Sequence, residues 1–295
     1  MRPLSRVLVV LMAGLGAGGA TSPKAPLTPE QLFRAPVVFT VPGMESVHVA
    51  SDRVYREAAR EGDESLRADV YTPASGGPFP VVVFVHGGFP DGLDISPKSA
   101  GQYSSWGRLV AASGMAAVTF NHRLRMSPQG IVHLGEAAAD LTNLLGWIRR
   151  NGAELSLDSR RLAVFAVSAG GPLLNVALAE PGLRCLVDYY GFLDVHDLDW
   201  FARARATTPD SNWSLVNALD RGGFPPILIA RAGKDTVPRM KETIDRFVAK
   251  ALSVDAPLTL LNHPTGQHAF DLQNDDPRSR EIIAATLRFL QDHLQ

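Results

Sequence analysis

A serine flanked by small residues lies where a strand pattern changes to a helix pattern. Ser168 lies within Ala166-Val-Ser-Ala-Gly-Gly171, after the apolar run Leu162–Val167 and before helical spacing over Leu173–Glu180. A serine hydroxyl is a weak nucleophile until a neighbouring base takes its proton. A tight strand-to-helix turn exposes such a hydroxyl, and its neighbours must be small because bulky side chains would collide with the strand or the helix. The segment therefore predicts a nucleophilic serine.

An aspartate and a histidine follow two later strand patterns. Asp235 follows the run Pro226–Ala230, and His268 follows Leu258–Leu261. A carboxylate can hold an imidazole in one tautomer, and the imidazole can then accept the serine proton. Loops at the carboxyl ends of parallel strands gather at one edge of the sheet. We therefore expect the side chains of Ser168, Asp235 and His268 to meet there.

Other residues of the same types are alternatives for these roles. Asp188 and Asp194 follow an earlier strand pattern and could replace Asp235 as the acid. Asp235 is favoured by resemblance, because its surroundings, Gly-Lys-Asp-Thr-Val-Pro, are similar to a segment of a known enzyme family and those of the other two are not. His263 is an alternative base, but it directly precedes Pro264, which indicates a loop or pocket-wall position.

A glycine-containing segment supplies candidates for charge stabilisation. His86-Gly-Gly-Phe89 follows the apolar run Pro80–Val85. The tetrahedral intermediate of acyl transfer needs N–H donors aimed at its oxyanion, and losing one donor costs about a hundred- to a thousandfold in rate. Glycine lets the backbone approach a substrate closely, and His86 is interpreted as a brace for this loop. The candidate donors are the backbone N–H groups of Gly87, Gly88, Phe89 and Ala169.

The remaining chain supplies the elements that must position these residues. Apolar runs predict strands at Pro80–Val85, Met115–Phe120, Leu162–Val167, Leu183–Tyr190, Pro226–Ala230 and Leu258–Leu261. Helical spacing predicts helices at Ser104–Ser113, Leu134–Arg150, Leu173–Glu180, Arg239–Leu252 and Arg278–His293. Asp52–Pro73 is typical of an edge hairpin that turns at Glu61-Gly-Asp63. This alternation predicts an α/β fold with a mostly parallel sheet and helices on both faces.

The stretch Leu193–Gly223 interrupts the alternation. It carries Trp200, Phe201 and Trp213 among polar residues. A segment of this length without a clear helix or strand pattern is usually functional in a compact domain. We therefore predict that 193–223 is a short cap insertion over the active-site end of the sheet.

The amino terminus has the layout of a secretory signal. Arg2 and Arg6 precede the apolar run Val7–Leu15, and small residues follow from Gly16 to Ala20. This pattern predicts cleavage after Ala20 and export to the periplasm or the medium, with a disordered or anchoring tail as the alternative. Residues 1–26 are accordingly interpreted as signal and linker, and residues 27–295 as one domain. No later run approaches the ~18 continuous apolar residues that span a bilayer.

Composition excludes several other functions. The formal net charge is −1, and Lys and Arg form no basic stripe, so nucleic acid is not an expected partner. No pair of histidines has metal-ligand spacing, so neither a metal nor another cofactor is expected. Cys185, the only cysteine, lies in an apolar run, which favours a buried structural role.

Taken together, these motifs resemble the α/β-hydrolase superfamily, in particular bacterial carboxylesterases similar to acetyl-, feruloyl- and hormone-sensitive-lipase-like esterases. The chain order Ser, Asp, His is the order used by that fold. Asp69-Val-Tyr-Thr-Pro73 and Asn121-His-Arg-Leu124 are similar to segments of the same branch, and the resemblance extends over roughly residues 52–294. It implies hydrolysis of a small-molecule or carbohydrate ester through an acyl-enzyme on Ser168.

Two departures from the family pattern leave alternatives open. Ala166 stands where the Gly-x-Ser-x-Gly pattern has its first glycine, and the oxyanion segment has two glycines before Phe89 instead of three. A peptidase resembling prolyl oligopeptidase is one alternative, but it would need a large gating domain, and only ~50 residues precede the hydrolase pattern. A non-catalytic relative is the other.

Overall fold

The strands are short, mostly apolar segments. The structure is a computed structural model that describes residues 28–58, 60, 64–90, 94–127, 130–202 and 213–295. The strands of the main sheet are β1 (His48–Arg56), β2 (Leu66–Thr72), β3 (Phe79–Val85), β4 (Ala116–Phe120), β7 (Leu157–Val167), β8 (Leu183–Tyr189), β9 (Ile227–Ala232) and β10 (Leu258–His263). A separate hairpin consists of β5 (Arg125–Ser127) and β6 (Gly130–Val132).

The order of the strands confirms the predicted α/β architecture. Within the described residues, the main sheet has eight strands in the order β1-β2-β4-β3-β7-β8-β9-β10. β2 is antiparallel to both β1 and β4, and every other neighbouring pair is parallel. The predicted edge hairpin is therefore β1 and β2, and its expected turn at residues 61–63 lies outside the described residues.

Helices cover both faces of the sheet, as predicted. They are α1 (Pro29–Arg34), α2 (Gly101–Ala112), α3 (Leu134–Asn151), α4 (Leu174–Ala177), α5 (Met240–Ser253), α6 (Phe270–Gln273) and α7 (Pro277–Leu294). Residues of α3 and α5 belong to one hydrophobic core, and residues of α2 and α7 to the other. In β3, Val81 and Val83 face the first core, whereas Val82 and Phe84 face the second. A strand buried on both faces is apolar throughout, which is why β3 has no polar alternation.

The segment after the nucleophile differs from its prediction. Instead of one helix over Leu173–Glu180, a 3-10 helix covers Ser168–Leu173 and α4 covers only Leu174–Ala177. The turn after Ala177 leads into Pro181, which disfavours helical backbone at Glu180 and prevents the helix from continuing through it. The β5–β6 hairpin, α1 and α6 were not predicted, since segments this short leave no readable periodicity.

The predicted cap insertion is described only in part. A 3-10 helix covers Asp199–Phe201 and another covers Leu215–Arg221, while residues 203–212 lie outside the described residues. Phe201 and Trp213 are buried in the first core. The predicted position of this segment over the active site stays a prediction, as does the signal at residues 1–26, which the described ranges do not include.

Two further properties concern the whole described chain. Cys185 is fully buried, as expected for a structural cysteine. None of the described helices combines the length and the hydropathy that crossing a bilayer requires.

Candidate active site

Ser168 begins the 3-10 helix that follows β7, and its backbone is left-handed, with φ at 54°. Such a conformation is uncommon for a residue with a side chain and persists where surrounding packing holds it. That packing is tight, because a Cβ at Gly170 would lie 2.8 Å from the carbonyl oxygen of His86. Ala166 is fully buried within β7 and pairs with Val85. Alanine in place of the first glycine is therefore compatible with the sharp turn.

His268 connects Ser168 to Asp235. Its Nδ1 lies 2.7 Å from Asp235 Oδ2, and its Nε2 lies 3.0 Å from Ser168 Oγ. A carboxylate only accepts hydrogen bonds, so the Nδ1–H of the imidazole donates to Asp235. Nε2 is then left as the acceptor for the serine hydroxyl. The structure therefore brings the three predicted side chains into one hydrogen-bonded row whose geometry suits proton transfer from Ser168 to His268.

The loops after β9 and β10 hold the acid and the base in place. The Asp235 side chain is almost fully buried, and its Oδ1 accepts the N–H of Val237 at 2.8 Å. Ala269, next to His268, has a left-handed backbone with φ at 58°. Gln273 donates from its side-chain amide to the carbonyl oxygen of His268 at 2.7 Å. The acid and the base are thus each held in place by contacts within their own loop.

The alternative acids have other surroundings. Asp188 is fully buried, and its Oδ2 accepts the N–H of Gly191 at 2.9 Å, while Oδ1 has no partner among the described residues. Burial raises the pKa of Asp188 to about 7. Asp194 forms an ion pair with Arg246 at 2.6 Å. Asp235 is the aspartate that contacts the imidazole of His268.

The alternative base lies elsewhere as well. His263 is fully buried at the end of β10, and its Nε2 lies 3.0 Å from Ser279 Oγ and 3.2 Å from Asp276 Oδ1. It therefore links β10 to the start of α7. This position does not match the loop or pocket wall expected from the neighbouring Pro264.

One of the predicted oxyanion donors, the N–H of Gly87, has another partner in the structure. The N–H of Gly87 donates to the phenolic oxygen of Tyr103 at 2.9 Å, so this N–H already has a buried partner. The sequence offered no signal for this contact, because Tyr103 lies within α2, in no motif. Gly88 lies beside Ala169, since a Cβ at Gly88 would be 3.6 Å from the Ala169 Cβ. Ala169 lies in the first turn of the 3-10 helix, where N–H groups lack intrahelical partners. Gly88 and Ala169 therefore remain candidate donors, as does Phe89.

Two stacked histidines support the oxyanion loop. The rings of His86 and His122 are buried and parallel, with centroids 3.4 Å apart. His86 Nδ1 lies 2.7 Å from the carbonyl oxygen of Gly87, which can only accept, and His86 Nε2 lies 3.4 Å from the backbone nitrogen of His122. Burial lowers the pKa of His86 to about 3, so the ring is neutral at ordinary pH. This arrangement agrees with the interpretation of His86 as a brace.

Comparisons with known proteins find esterases among the proteins that this chain resembles. The family model BD-FAE matches residues 68–182. The para-nitrobenzyl esterase of Bacillus subtilis (strain 168) is 32% identical over 143 residues, which are 45% of this chain and 28% of that protein. The fumonisin B1 esterase of Sphingopyxis macrogoltabida is 26% identical over 242 residues, which are 70% of this chain and 43% of that protein. The chain thus spans less than half the length of these curated relatives.

A solved structure supports the fold independently. The esterase LipW from Mycobacterium marinum superposes with a TM-score of 0.66 at 24% sequence identity, over 84% of this chain and 82% of that one. Identity at this level establishes the fold alone. The strand order and this superposition show that the chain has the α/β-hydrolase fold, with the Ser-Asp-His row at the carboxyl edge of its sheet.

Proposed function

We propose that this protein is a serine hydrolase that cleaves carboxylic esters through an acyl-enzyme on Ser168. The observation that carries the proposal is the continuous row from Ser168 Oγ through the imidazole of His268 to the carboxylate of Asp235, with contacts of 3.0 and 2.7 Å. A serine is equipped for acyl transfer when one nitrogen of a neighbouring imidazole can accept its proton and the other nitrogen donates to a carboxylate.

Acylation would begin with proton transfer within this row. Ser168 Oγ attacks the ester carbonyl carbon while its proton passes to His268 Nε2. The carbonyl oxygen becomes an oxyanion, which the N–H groups of Gly88 and Ala169 stabilise. When the intermediate collapses, the bond from carbon to the alcohol oxygen breaks. The alcohol leaves with the proton from His268, and the acyl group stays on Ser168.

Deacylation would repeat the sequence with water as the nucleophile. His268 takes one proton from the water, whose oxygen attacks the acyl carbon. The second intermediate collapses, the bond to Ser168 Oγ breaks, and the serine recovers its proton from His268. The products are a carboxylic acid and the free enzyme. Asp235 remains ionised throughout and stabilises the imidazolium that forms twice per turnover.

The proposed substrates are small-molecule esters, with carbohydrate esters as the class to test first. The names of the similar proteins support small esters, since one is a para-nitrobenzyl esterase and another a fumonisin B1 esterase. The resemblance to acetyl- and feruloyl-esterases is the reason for including carbohydrate esters. We further propose that the insertion at residues 193–223 shapes the alcohol side of the site. Phe192, directly before it, donates its N–H to the carbonyl oxygen of Ser168 at 3.2 Å.

Export is part of the same proposal. The basic start, the apolar run and the small residues up to Ala20 support a signal peptide. Mass spectrometry of the protein recovered from periplasm and medium tests this directly. A mature chain beginning at Thr21 is the expected result, and an intact amino terminus found only in the cytoplasm would contradict it.

Activity assays with matched substrates test the hydrolase itself. Wild-type protein should hydrolyse p-nitrophenyl acetate and butyrate, and Ser168→Ala should abolish the turnover. A peptide anilide measured in parallel separates the peptidase alternative, since only a peptidase would cleave it faster than the esters. If wild-type protein turns over none of these substrates, the proposal is wrong and a non-catalytic relative is favoured. Acetylated and feruloylated sugars then define the substrate class.

A further inference from the structure

A buried polar cluster lies beside the imidazole of His268 and takes no part in the proton transfers above. Its centre is Asp271, a fully buried residue of α6. The carboxylate accepts the hydroxyl of Tyr190 at 2.5 Å, the amide of Gln102 at 2.8 Å and the indole N–H of Trp106 at 3.0 Å. Burying a carboxylate is costly unless hydrogen bonds compensate for lost water. A buried cluster whose polar atoms all have hydrogen-bond partners holds its side chains rigidly.

Tyr190 connects this cluster to the catalytic row. Its ring meets the imidazole of His268 edge to face, with centroids 4.7 Å apart and an interplanar angle of 61°. The backbone of Tyr190 is left-handed, with φ at 40°. A bulky residue in that region is strained, and such strain persists where surrounding contacts determine the conformation. Left-handed backbone also occurs at Ser168 and Ala269, within the catalytic row and directly beside it.

The hydrogen-bond pattern fixes the orientation of the Tyr190 ring. Gln102 donates one amide hydrogen to the Tyr190 hydroxyl oxygen at 2.8 Å and another to Asp271. The hydroxyl oxygen is therefore occupied as an acceptor, and its hydrogen points to Asp271. Burial raises the pKa of Tyr190 well above its usual value, so the phenol keeps that hydrogen. The ring cannot swing away from His268 without breaking both hydrogen bonds.

Asp271 also fixes the segment that carries the histidine. It lies three residues after His268 in the same loop and helix, and its carbonyl oxygen accepts the N–H of Val38 at 2.8 Å. Gln102 and Trp106 both belong to α2, the helix whose Tyr103 accepts the N–H of Gly87. One helix thus anchors both the oxyanion loop and the histidine loop.

We infer that Tyr190 and Asp271 are positioning residues that hold the His268 imidazole in line between Ser168 and Asp235. This inference rests on the proposed function, because it concerns the same catalytic row. Neither residue exchanges a proton with the substrate. Their role is to limit the motion of the base, since a displacement of about 1 Å at a catalytic group can cost about a hundredfold in rate.

Tyr190→Phe is the test variant, because it removes the hydroxyl and keeps the ring. Tyr189→Phe is the matched control: that hydroxyl belongs to the neighbouring, equally buried tyrosine and bonds to Thr286 at 2.8 Å. Asp271→Asn serves as a second test variant, since its NH2 group would replace one of the two oxygens that accept these hydrogen bonds. The measurements are kcat and KM for p-nitrophenyl acetate, the melting temperature, and the rate at which a fluorophosphonate labels Ser168.

We expect Tyr190→Phe to lower kcat and the labelling rate about tenfold or more, with KM within about twofold of wild type. Tyr189→Phe should keep kcat within about twofold of wild type. It should lower the melting temperature by about as much as Tyr190→Phe does. Asp271→Asn, where it folds, should follow Tyr190→Phe. If Tyr190→Phe and Tyr189→Phe have equal kcat and equal labelling rates, the cluster serves only stability and the inference is wrong.

The labelling rate separates this inference from the proposed function. Fluorophosphonate labelling needs an activated serine but no particular ester. If wild-type protein is labelled and hydrolyses no ester, the proposed function fails, and the ratio of labelling rates between the two tyrosine variants still decides the role of Tyr190. If wild-type protein is not labelled at all, the row does not activate Ser168, and both proposals are overturned.

Discussion

The N–H of Gly87 donates a hydrogen bond to the phenolic oxygen of Tyr103 at 2.9 Å. A Cβ at Gly87 would lie 3.1 Å from the Cβ of Ser168, so this glycine borders the nucleophile directly. Tyr103 therefore holds the oxyanion loop against Ser168 from within α2. Gly87 thus packs closely beside the nucleophile with its N–H already paired, and we propose that the neighbouring Gly88 supplies the oxyanion donor on this loop.

Tyr103→Phe should reduce ester hydrolysis by about tenfold. The substitution leaves the buried N–H of Gly87 without its acceptor, and an unmet buried hydrogen bond costs about 1–3 kcal/mol. The loop can then relax away from Ser168, which weakens oxyanion stabilisation and lowers kcat. Tyr55→Phe is the control, because the Tyr55 hydroxyl bonds to the carbonyl oxygen of Asn121 at 2.7 Å, away from the catalytic row. An unchanged or increased kcat in Tyr103→Phe would restore Gly87 as a candidate donor.

Asp235→Asn should lower kcat for p-nitrophenyl esters by about a thousand- to ten-thousandfold. The amide cannot hold the imidazole of His268 in the tautomer that leaves Nε2 free to accept the Ser168 proton. Asp194→Asn is the matched control, since it removes a carboxylate that pairs with Arg246 and not with the histidine. A larger loss of kcat in Asp194→Asn or Asp188→Asn than in Asp235→Asn would show that the acid has been misassigned.

Much of the sheet and the catalytic row could be predicted from sequence for one physical reason. The parallel strands inside the sheet contain continuous apolar runs because both of their faces are buried there, whereas the edge strand β10 is partly exposed. Ser168, Asp235 and His268 each follow a predicted parallel strand, so the register of the sheet brings them together. Boundaries were less predictable, as after the nucleophile, where a 3-10 helix and a short α-helix replace the single predicted helix.

The supporting cluster could not be predicted in the same way. Tyr190 and Gln102 reach Asp271 across sequence separations of 81 and 169 residues. No periodic pattern or motif links such distant positions, because the contacts depend on how α2 packs against the histidine loop. The hydrogen bond from Gly87 to Tyr103 could not be predicted for the same reason. The glycine motif suggested Gly87 as a donor, but only the packing of α2 shows that Tyr103 is its acceptor.

Asp188 should make the stability of the fold depend on pH. Burial raises the pKa of Asp188 in the folded protein from 3.8 to about 7. Below pH 3.8 the carboxyl carries a proton in both the folded and the unfolded state. As the pH rises from there to about 7, the unfolded chain loses this proton while the folded chain keeps it, so the contribution of Asp188 to stability is progressively lost.

Asp188→Asn removes this titration and isolates its effect. The free energy of unfolding of the variant relative to wild type should increase between pH 4 and pH 7, by at most about 4 kcal/mol, and then level off. Urea unfolding at several pH values measures the difference. A difference that is independent of pH, or that moves in the opposite direction, would contradict a raised pKa at this site.

Gly88→Ala should distort the oxyanion loop through a contact with the β5–β6 hairpin. A Cβ at Gly88 would lie 2.4 Å from the Cγ and 2.6 Å from the Sδ of Met126, which is closer than carbon and sulfur atoms can approach. Either the loop or the Met126 side chain must move, so we expect a fall in kcat of about tenfold or more and a lower melting temperature. Adding Met126→Ala removes the obstructing atoms and should restore part of both. Gly135→Ala is the control, because no atom lies within 4 Å of a Cβ at that exposed helix position. If the double variant is no better than Gly88→Ala alone, the hairpin does not set the position of Gly88, and the loss comes from the backbone of the glycine itself.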